Sequence, residues 1–277
     1  MLEEARPSLD SHLTQIELGD RLVVLARTIQ ARDTGAETTL RDGAVNWSRF
    51  GDQCLGQSLY RHRTIFQNAA DAPVWSHVEL SYFRDIVPAD VILELVFNQQ
   101  PRGVHLLRAE ILLTTPSSFI LPRDWRGSAD RPERQVSLEY IEVQPKHLRK
   151  YRNVMRDYCG VAAKRLVQEN RFGTFRAMET AVILYRTPEM TIDWNQIHLC
   201  ELDPNGFDGF GKEFAAALRV DSNDVDPPDA FADLGNIRTV PRWTFNDSIV
   251  EADSAVASVG ITGCSSGLPP ASAELSR

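Results

Sequence analysis

The 277-residue sequence predicts an α+β fold in which helices cover one face of an antiparallel sheet, and two observations lead to this prediction. The segment 136–143 alternates and is rich in β-branched and aromatic residues, as strands are. Apolar residues then recur every three or four positions over 146–171, which is the spacing of an amphipathic helix. The composition, with 43% hydrophobic and 25% charged residues, is that of a globular protein and excludes disordered, collagen-like and coiled-coil chains.

The helix over 146–171 is predicted to be the longest element of this region. Pro145 precedes it at a helix-start position, where its missing N–H costs nothing. Gly160 interrupts it at a cost of up to about 1 kcal/mol relative to alanine, which a helix this long can absorb. The apolar stripe contains Leu148, Tyr151, Val154, Met155, Tyr158, Ala162, Leu166 and Val167.

Two strands and a shorter helix are predicted to follow. The strand candidates 174–185 and 193–202 are separated by a Thr-Pro-Glu turn, and a dense turn signal at 203–206 ends the second. Apolar residues over 207–218 then trace an amphipathic helix. The order strand, helix, strand, strand, helix is the ferredoxin-like plan, whose uncovered sheet face must be buried, for example by pairing two such sheets into a barrel.

The remainder of the chain gives weaker patterns. We interpret 14–120 as a degenerate second α+β unit, with strands at 91–97 and 104–113, apolar runs at 22–29 and 75–83, and no periodicity over 33–57. Residues 75–80 resemble 194–199 only faintly, because the Trp–His spacings are two and four, which favours chance. Residues 1–13 are interpreted as an extension, 121–135 as a linker and 221–277 as a mostly flexible tail.

Charge and cysteine usage limit the partners and the compartment. The net charge of −8 argues against non-specific binding to nucleic acid or anionic lipid, and no apolar run is long enough to span a membrane. The N-terminus lacks the apolar region of a secretory signal. The four cysteines are far apart and form no CxxC pair, so we expect reduced thiols in a cytoplasmic protein and no zinc site.

The segment Leu138-Glu-Tyr-Ile-Glu-Val-Gln-Pro145 resembles the NIPSNAP-like branch of the dimeric α+β barrel superfamily, in which a strand ends in proline before a long helix. Asn195-Gln-Ile-His198-Leu199 is similar to the family's third-strand Asn…His-Leu segment. The sequence departs from the family at Lys146, where many members have glycine, and at Cys200, where many have tryptophan. The resemblance covers 136–220 only and implies a ferredoxin-like α+β barrel. Relatives by fold include cofactor-free monooxygenases, cyclases, isomerases, haem-binding dehydratases and proteins without an established reaction, so the fold does not assign a function.

Strand alternation divides the third strand between two faces. Ile197 and Leu199 lie on one face and suit the layer beneath a helix, so the opposite face is predicted to line the barrel lumen. That opposite face has Trp194, Gln196, His198 and Cys200. His198 is predicted to act as a general acid or base, with Trp194 and Gln196 binding substrate.

The family match points Glu139 into the lumen as well, where it would face His198 as a second catalytic group. Arg176, on the second strand, is a further candidate for substrate binding. A strand histidine is more often structural than catalytic, and that alternative stays open.

Three functions remain open at this point. The first is an enzyme that needs no metal, nucleotide or other cofactor and acts on a small hydrophobic or aromatic molecule as a cyclase, isomerase, dehydratase or monooxygenase. The second is a NIPSNAP-type binding or scaffold protein whose lumen is filled by side chains. The third is a haem protein with His105 as a lone axial ligand. The barrel closes either within one chain or by a homodimer formed through the barrel sheet.

Overall fold

The computed structural model describes residues 12–70, 72–123, 135–202, 234–252 and 256. Its strands are β1 (Leu13–Gln15), β2 (Val23–Ala31), β3 (Cys54–Asn68), β4 (His77–Phe83), β5 (Val104–Pro122), β6 (Gln135–Val143), β7 (Phe172–Arg186), β8 (Gln196–Leu202) and β9 (Arg238–Ala252). Its helices are α1 (Thr34–Val45), α2 (Ala89–Ile92, continued by a π turn over Leu93–Phe97), α3 (Leu148–Val154), α4 (Gly160–Gln168) and α5 (Leu234–Ile237). Short 3-10 turns lie at Leu18–Asp20, Trp47–Phe50 and Pro145–His147.

The strands form a single antiparallel sheet in the order β1-β5-β2-β4-β3-β9-β6-β8-β7, and a further pairing of β5 with β7 closes it into a barrel. Strands β2 to β5 and strands β6 to β9 repeat the same order, in which the first and third strands of each set are central. Each set therefore has the ferredoxin-like arrangement, and the predicted α+β barrel is confirmed.

The barrel closes within one chain. The outer strands of the two sets pair with each other, β3 with β9 and β5 with β7, so no sheet edge of either set is left for a second copy to complete. The strand pairing that a homodimer through the barrel sheet would provide is therefore already made within the chain.

The two halves match in detail. Strands β2 and β6 both have nine residues, β4 and β8 both have seven, and β3 and β7 both have fifteen. Trp75 and Trp194 each lie two residues before the third strand of their half, and their rings meet at 5.7 Å. Aligned on these tryptophans rather than on the histidines, 75–80 and 194–199 occupy equivalent positions in the two halves.

Three apolar layers fill the molecule. The lumen contains strand and loop residues from both halves together with Val256, and Tyr140 packs edge-on against both tryptophans at 5.2 and 5.0 Å. A second layer lies between the sheet of the second half and α3–α4, and a third between the sheet of the first half and α1–α2. The lumen is therefore packed by side chains.

The predicted long helix forms as α3 and α4, joined by a π turn at Met155–Cys159. At this turn the helix lies directly on β5, where the hydroxyl of Ser118 donates to the carbonyl of Met155 at 2.7 Å. A Cβ at Gly160 would lie 2.3 Å from the carbonyl oxygen of Ser117. Gly160 is therefore required for the close contact between the helix and β5, and it is not merely an interruption that the helix tolerates.

Three predictions for the weaker regions were wrong. Residues 89–97 are helical rather than a strand, because a short apolar run does not distinguish a buried helix from a buried strand. Helix α1 occupies 34–45, where no periodicity was recognised. Residues 238–252 form β9 rather than part of a flexible tail. Pro241 and a polar lumen face, made of Arg242, Thr244 and Asn246, conceal this strand in the sequence.

Some predictions fall partly or wholly outside the described residues. These are the helix at 207–218, most of the N-terminal extension, most of the linker and the rest of the tail. Among the helices of the described ranges, none has the length and apolar character needed to cross a membrane.

Candidate functional site

The structure places the predicted site residues in two separate layers. His198, Glu139 and Gln196 lie on the helix-covered face of the second half, whereas Trp194 and Arg176 lie in the lumen. The predicted orientation of His198 was therefore wrong: Ile197 and Leu199 face the lumen, and the imidazole lies beneath α3. The physical reason is that the lumen of this barrel is itself an apolar core and takes the aliphatic face of the strand.

The two lumen residues are held by other lumen side chains. Trp194 donates its indole N–H to Glu110 at 2.8 Å, and the guanidinium of Arg108 stacks 3.9 Å over its ring. Arg176 is fully buried and donates to the hydroxyl of Tyr82 at 2.9 Å. The lumen position of Trp194 agrees with the prediction, whereas no position was predicted for Arg176. The surroundings of both are packed side chains rather than an open cavity.

His198 lies at the centre of a chain of polar groups under the helix. Its Nε2 lies 3.2 Å from the hydroxyl of Tyr151, which comes from α3, and its Nδ1 lies 3.7 Å from a carboxylate oxygen of Glu139 on the neighbouring strand. The Tyr151 ring stacks on the imidazole, and Phe175 contacts it edge-on. The chain Tyr151–His198–Glu139 thus joins a phenol to a carboxylate through one imidazole.

Burial sets the protonation of this chain. Burial, together with the nearby positive charge of Arg238, lowers the pKa of His198 to about 3, so the imidazole is neutral near pH 7. Burial raises the pKa of Glu139, while Arg238 opposes that rise. Burial also raises the pKa of Tyr151, so the phenol keeps its proton. A neutral imidazole has one donor and one acceptor nitrogen, so it can accept from Tyr151 at Nε2 while directing its Nδ1 proton towards Glu139.

Arg238 links the Tyr151–His198–Glu139 group to a cleft. It is the first residue of β9 and pairs with Val143 of β6. Burial disfavours its charge, but Glu139 and Tyr151 outweigh this effect and raise its pKa. The same side chain lines a cleft of about 920 Å³ together with Glu142, Asp193 and Leu234. Among Arg238 and the three residues of that group, Arg238 is the one whose side chain lines the cleft.

The equivalent positions in the first half hold an ion pair. Arg27 and Glu79 occupy the positions of Glu139 and His198 in their strands and are likewise cross-strand partners. Arg27 donates to both carboxylate oxygens of Glu79, at 3.1 and 2.7 Å, and to the carbonyl of Leu95 at 3.0 Å. Gln57 donates to Glu79 at 2.7 Å. This pair is closely hydrogen-bonded, whereas the carboxylate and imidazole of the second half stand apart at 3.7 Å.

Sequence reasoning missed two members of the site. Tyr151 was assigned to the core because it lies on the apolar stripe of the helix, and only its hydroxyl distinguishes it from its neighbours. Arg238 was missed because the strand that carries it was interpreted as tail. Aligning the sequences of the two halves on their tryptophans would have placed His198 in the same column as Glu79. That alignment would have revealed the difference between the halves.

The residues do not fit the haem alternative proposed for His105. This side chain is exposed on β5, whereas a lone axial ligand must lie in an enclosed pocket large enough for the ring. Within the described ranges, His, Cys, Asp and Glu side chains form no group of three or more that could bind a metal ion.

Comparison with known proteins shows the fold and no family. No family model and no curated protein matches the chain. An anthrone oxidase-like protein is 8% identical, with a TM-score of 0.50 over 87% of this chain and 96% of the other. A candidate monooxygenase of Fusobacterium nucleatum is 7% identical, with a TM-score of 0.48 over 84% and 94%. A mutant chlorite dismutase of Candidatus Nitrospira defluvii is 10% identical, with a TM-score of 0.45 over 82% and 91%. The chain therefore has the fold of the α+β barrel proteins.

Proposed function

We propose that the protein is an enzyme that removes a proton from a small, hydrophobic organic molecule, with Glu139 as the base and with His198 and Tyr151 as the groups that position it. The observation that carries this proposal is the buried chain from Tyr151 through His198 to Glu139, which Arg238 joins to the cleft. Proton removal is the first step shared by the cyclase, isomerase, dehydratase and monooxygenase classes named above.

Glu139 can take the substrate proton without charging the imidazole. Its carboxylate forms the new O–H bond as the substrate C–H bond breaks, and the electron pair of that bond stays on the substrate as a carbanion. His198 remains neutral beside the carboxylate, with the Tyr151 phenol at its Nε2. A burial that lowers the pKa of His198 to about 3 makes the imidazolium costly, and this route avoids it. Burial also raises the pKa of Glu139, which makes this carboxylate a stronger base than one in water.

The surroundings of Glu139 suit an aromatic substrate. Trp243, on β9, is the cross-strand partner of Glu139. Its indole N–H donates a hydrogen bond to the hydroxyl of Ser137 at 2.6 Å, which fixes the orientation of the ring. Phe66 meets the ring of Trp243 edge-on at 5.0 Å. An aromatic wall beside a carboxylate offers both contact area and a base to a planar molecule.

The test is solvent deuterium incorporation into aromatic carbon acids. We choose phenylpyruvate, 1-indanone and anthrone, the last because one fold neighbour is named for it. We expect the wild type to accelerate exchange into at least one of them, and Glu139→Gln, His198→Gln and Tyr151→Phe each to lower that rate at least tenfold. The matched controls are His105→Gln and Tyr158→Phe, which change the same residue types away from the chain. Equal exchange rates for wild type and the three site variants would refute the proposal.

A second candidate rests on the packed lumen. A NIPSNAP-type binding or scaffold protein needs no open lumen, and Tyr140, Trp75 and Trp194 fill this one. Under that candidate the chain beneath α3 is structural, so the site variants lose stability and no exchange is accelerated by any form of the protein.

A further inference from the structure

We propose that Arg238 is the residue that recognises the substrate and that the substrate carries a carboxylate, which pairs with the guanidinium in the cleft. This inference rests on the proposed function for the identity of the site and adds the chemical class of its ligand. Its argument depends on where Arg238 lies, on the charges around the cleft and on the contrast with the first half of the chain.

The position of Arg238 gives it two sides. One side faces the buried chain, where the guanidinium interacts with Glu139 and with Tyr151. The other side lines the cleft, and the residue is only partly buried. The planar guanidinium has five N–H donors in a fixed fork, so it can keep an internal partner and still offer a bidentate face to a carboxylate.

The charges around the cleft favour Arg238 as the binding point for an anion. The charged residues among the described lining are Glu142, Asp193 and Arg238. Asp193 is already held by Arg108 at 2.7 Å and by Arg186 at 3.1 Å. Within this lining, Arg238 is the one cation, so a carboxylate entering the cleft finds its favourable partner beside the buried chain.

A second cleft, of about 340 Å³, lies in the first half and has no such group. Its buried cation, Arg27, is already bound on both sides by Glu79, Leu95 and Gln100, at 2.7 to 3.3 Å. Arg49, at its rim, contacts Glu94 at 3.3 Å. A carboxylate would have to displace an existing anion from either arginine, so we expect binding in the second half only.

A carboxylate on Arg238 would also act on Glu139. The positive charge of Arg238 now holds down the pKa of Glu139. A bound anion offsets part of that charge, so the pKa of Glu139 rises further and the carboxylate becomes a stronger base while substrate is present. Recognition of the anion and activation of the base are thereby linked through one side chain.

The test compares phenylacetate with its neutral isostere phenylacetamide by calorimetric or NMR titration. We expect phenylacetate to bind the wild type at least tenfold more tightly than phenylacetamide, Arg238→Gln to remove that preference and Arg238→Lys to restore part of it. The control is Arg63→Gln, which removes the same charge from an exposed position on β3 and leaves the preference unchanged.

The outcomes separate this inference from the proposed function. If wild type does not prefer phenylacetate, or if Arg238→Gln keeps the preference, the inference is overturned whatever the exchange rates show. If the preference depends on Arg238 and persists in His198→Gln and Tyr151→Phe while no variant or wild type accelerates exchange, the binding inference stands and the proton-transfer function fails. Circular dichroism of each variant identifies loss of folding. If Arg238→Gln does not fold, the preference for phenylacetate over phenylacetamide is compared between Arg238→Lys and the wild type instead, and an unchanged preference overturns the inference.

Discussion

At the scale of single residues, the protein places a neutral imidazole between a phenol and a carboxylate. His198 is buried under α3 and keeps one hydrogen-bonding group on each side of its ring. Such a group costs stability whenever it must take a proton without a compensating partner. Its protonation therefore links the site to the stability of the whole fold.

This linkage predicts a pH dependence of unfolding. The pKa of His198 is lowered to about 3 in the folded protein, whereas the ordinary pKa of histidine is 6.5. Below pH 6.5 the unfolded state therefore binds a proton at His198 that the folded state does not. Stability is then intact above about pH 6.5 and is lost as the pH falls, by up to about 1.4 kcal/mol per pH unit. We expect His198→Gln to show a smaller fall in the free energy of unfolding between pH 7 and pH 5, measured by urea denaturation.

The control for this measurement is His105→Gln at an exposed site. Burial also lowers the pKa values of His62 and His77, so part of the slope stays in both variants. A slope in His198→Gln equal to that of the wild type would mean that the imidazole is not held neutral by burial.

Sequence reasoning found the pair Glu139 and His198 but not their surroundings. Alternation groups Gln196 with His198 correctly but fails for Trp194, which precedes the strand. It also does not say which face is lumen, since both faces of this strand are buried. Tyr151 and Arg238 come from elements distant along the chain and meet His198 only through tertiary packing. Their roles were therefore outside the reach of local patterns.

At the scale of elements, the position of α3–α4 over the site depends on close contact between helix and strand. Gly160 begins α4 directly over Ser117, which has a positive φ of 61°. The π turn before it supplies the Met155 carbonyl that accepts from Ser118. Together these features hold the helix that carries Tyr151 against β5.

We therefore expect Gly160→Ala to destabilise the fold. Its Cβ would lie 2.3 Å from the Ser117 carbonyl oxygen, which belongs to the backbone and cannot rotate away. A loss of roughly 1–3 kcal/mol is typical of such overpacking. The matched control is Gly43→Ala in α1, where nothing lies within 4 Å of the added Cβ. That change should stabilise the protein by about 0.5–1 kcal/mol through helix propensity. Thermal denaturation that ranks the two variants in the opposite order would contradict this account.

The elements were predictable where one face carried a clear pattern. The long helix and the strands β6 and β7 follow from periodicity, whereas β9 does not, because Arg242 and Asn246 turn polar side chains into the lumen. Arg242 is buried because it stacks 3.6 Å over Trp75, a tertiary contact that the local sequence around β9 does not indicate.

At the scale of the whole molecule, the two halves are structurally equivalent but carry different polar groups beneath their helices. Arg108 stacks over Trp194 and Arg242 over Trp75, so each half places a cation on the tryptophan of the other. Ser76 accepts the N–H of Ala31 at 2.7 Å, and Asn195 accepts that of Val143 at 3.0 Å at the matching position. The lumen is thus nearly symmetric, and the halves differ under their helices, where one has an ion pair and the other the Tyr151–His198–Glu139 chain.

The central claim is that the protein binds its ligand at one site, the cleft that Arg238 lines at the start of β9. A crystal structure of the protein saturated with phenylacetate tests it most directly, because it shows both the number of sites and their location. We predict one phenylacetate per chain, with its carboxylate on Arg238 and its ring beside Ile192 and Leu234, which line the same cleft. Phenylacetate bound in the cleft beside Arg27 and Glu79, or absent from Arg238 at saturating concentration, would contradict the account.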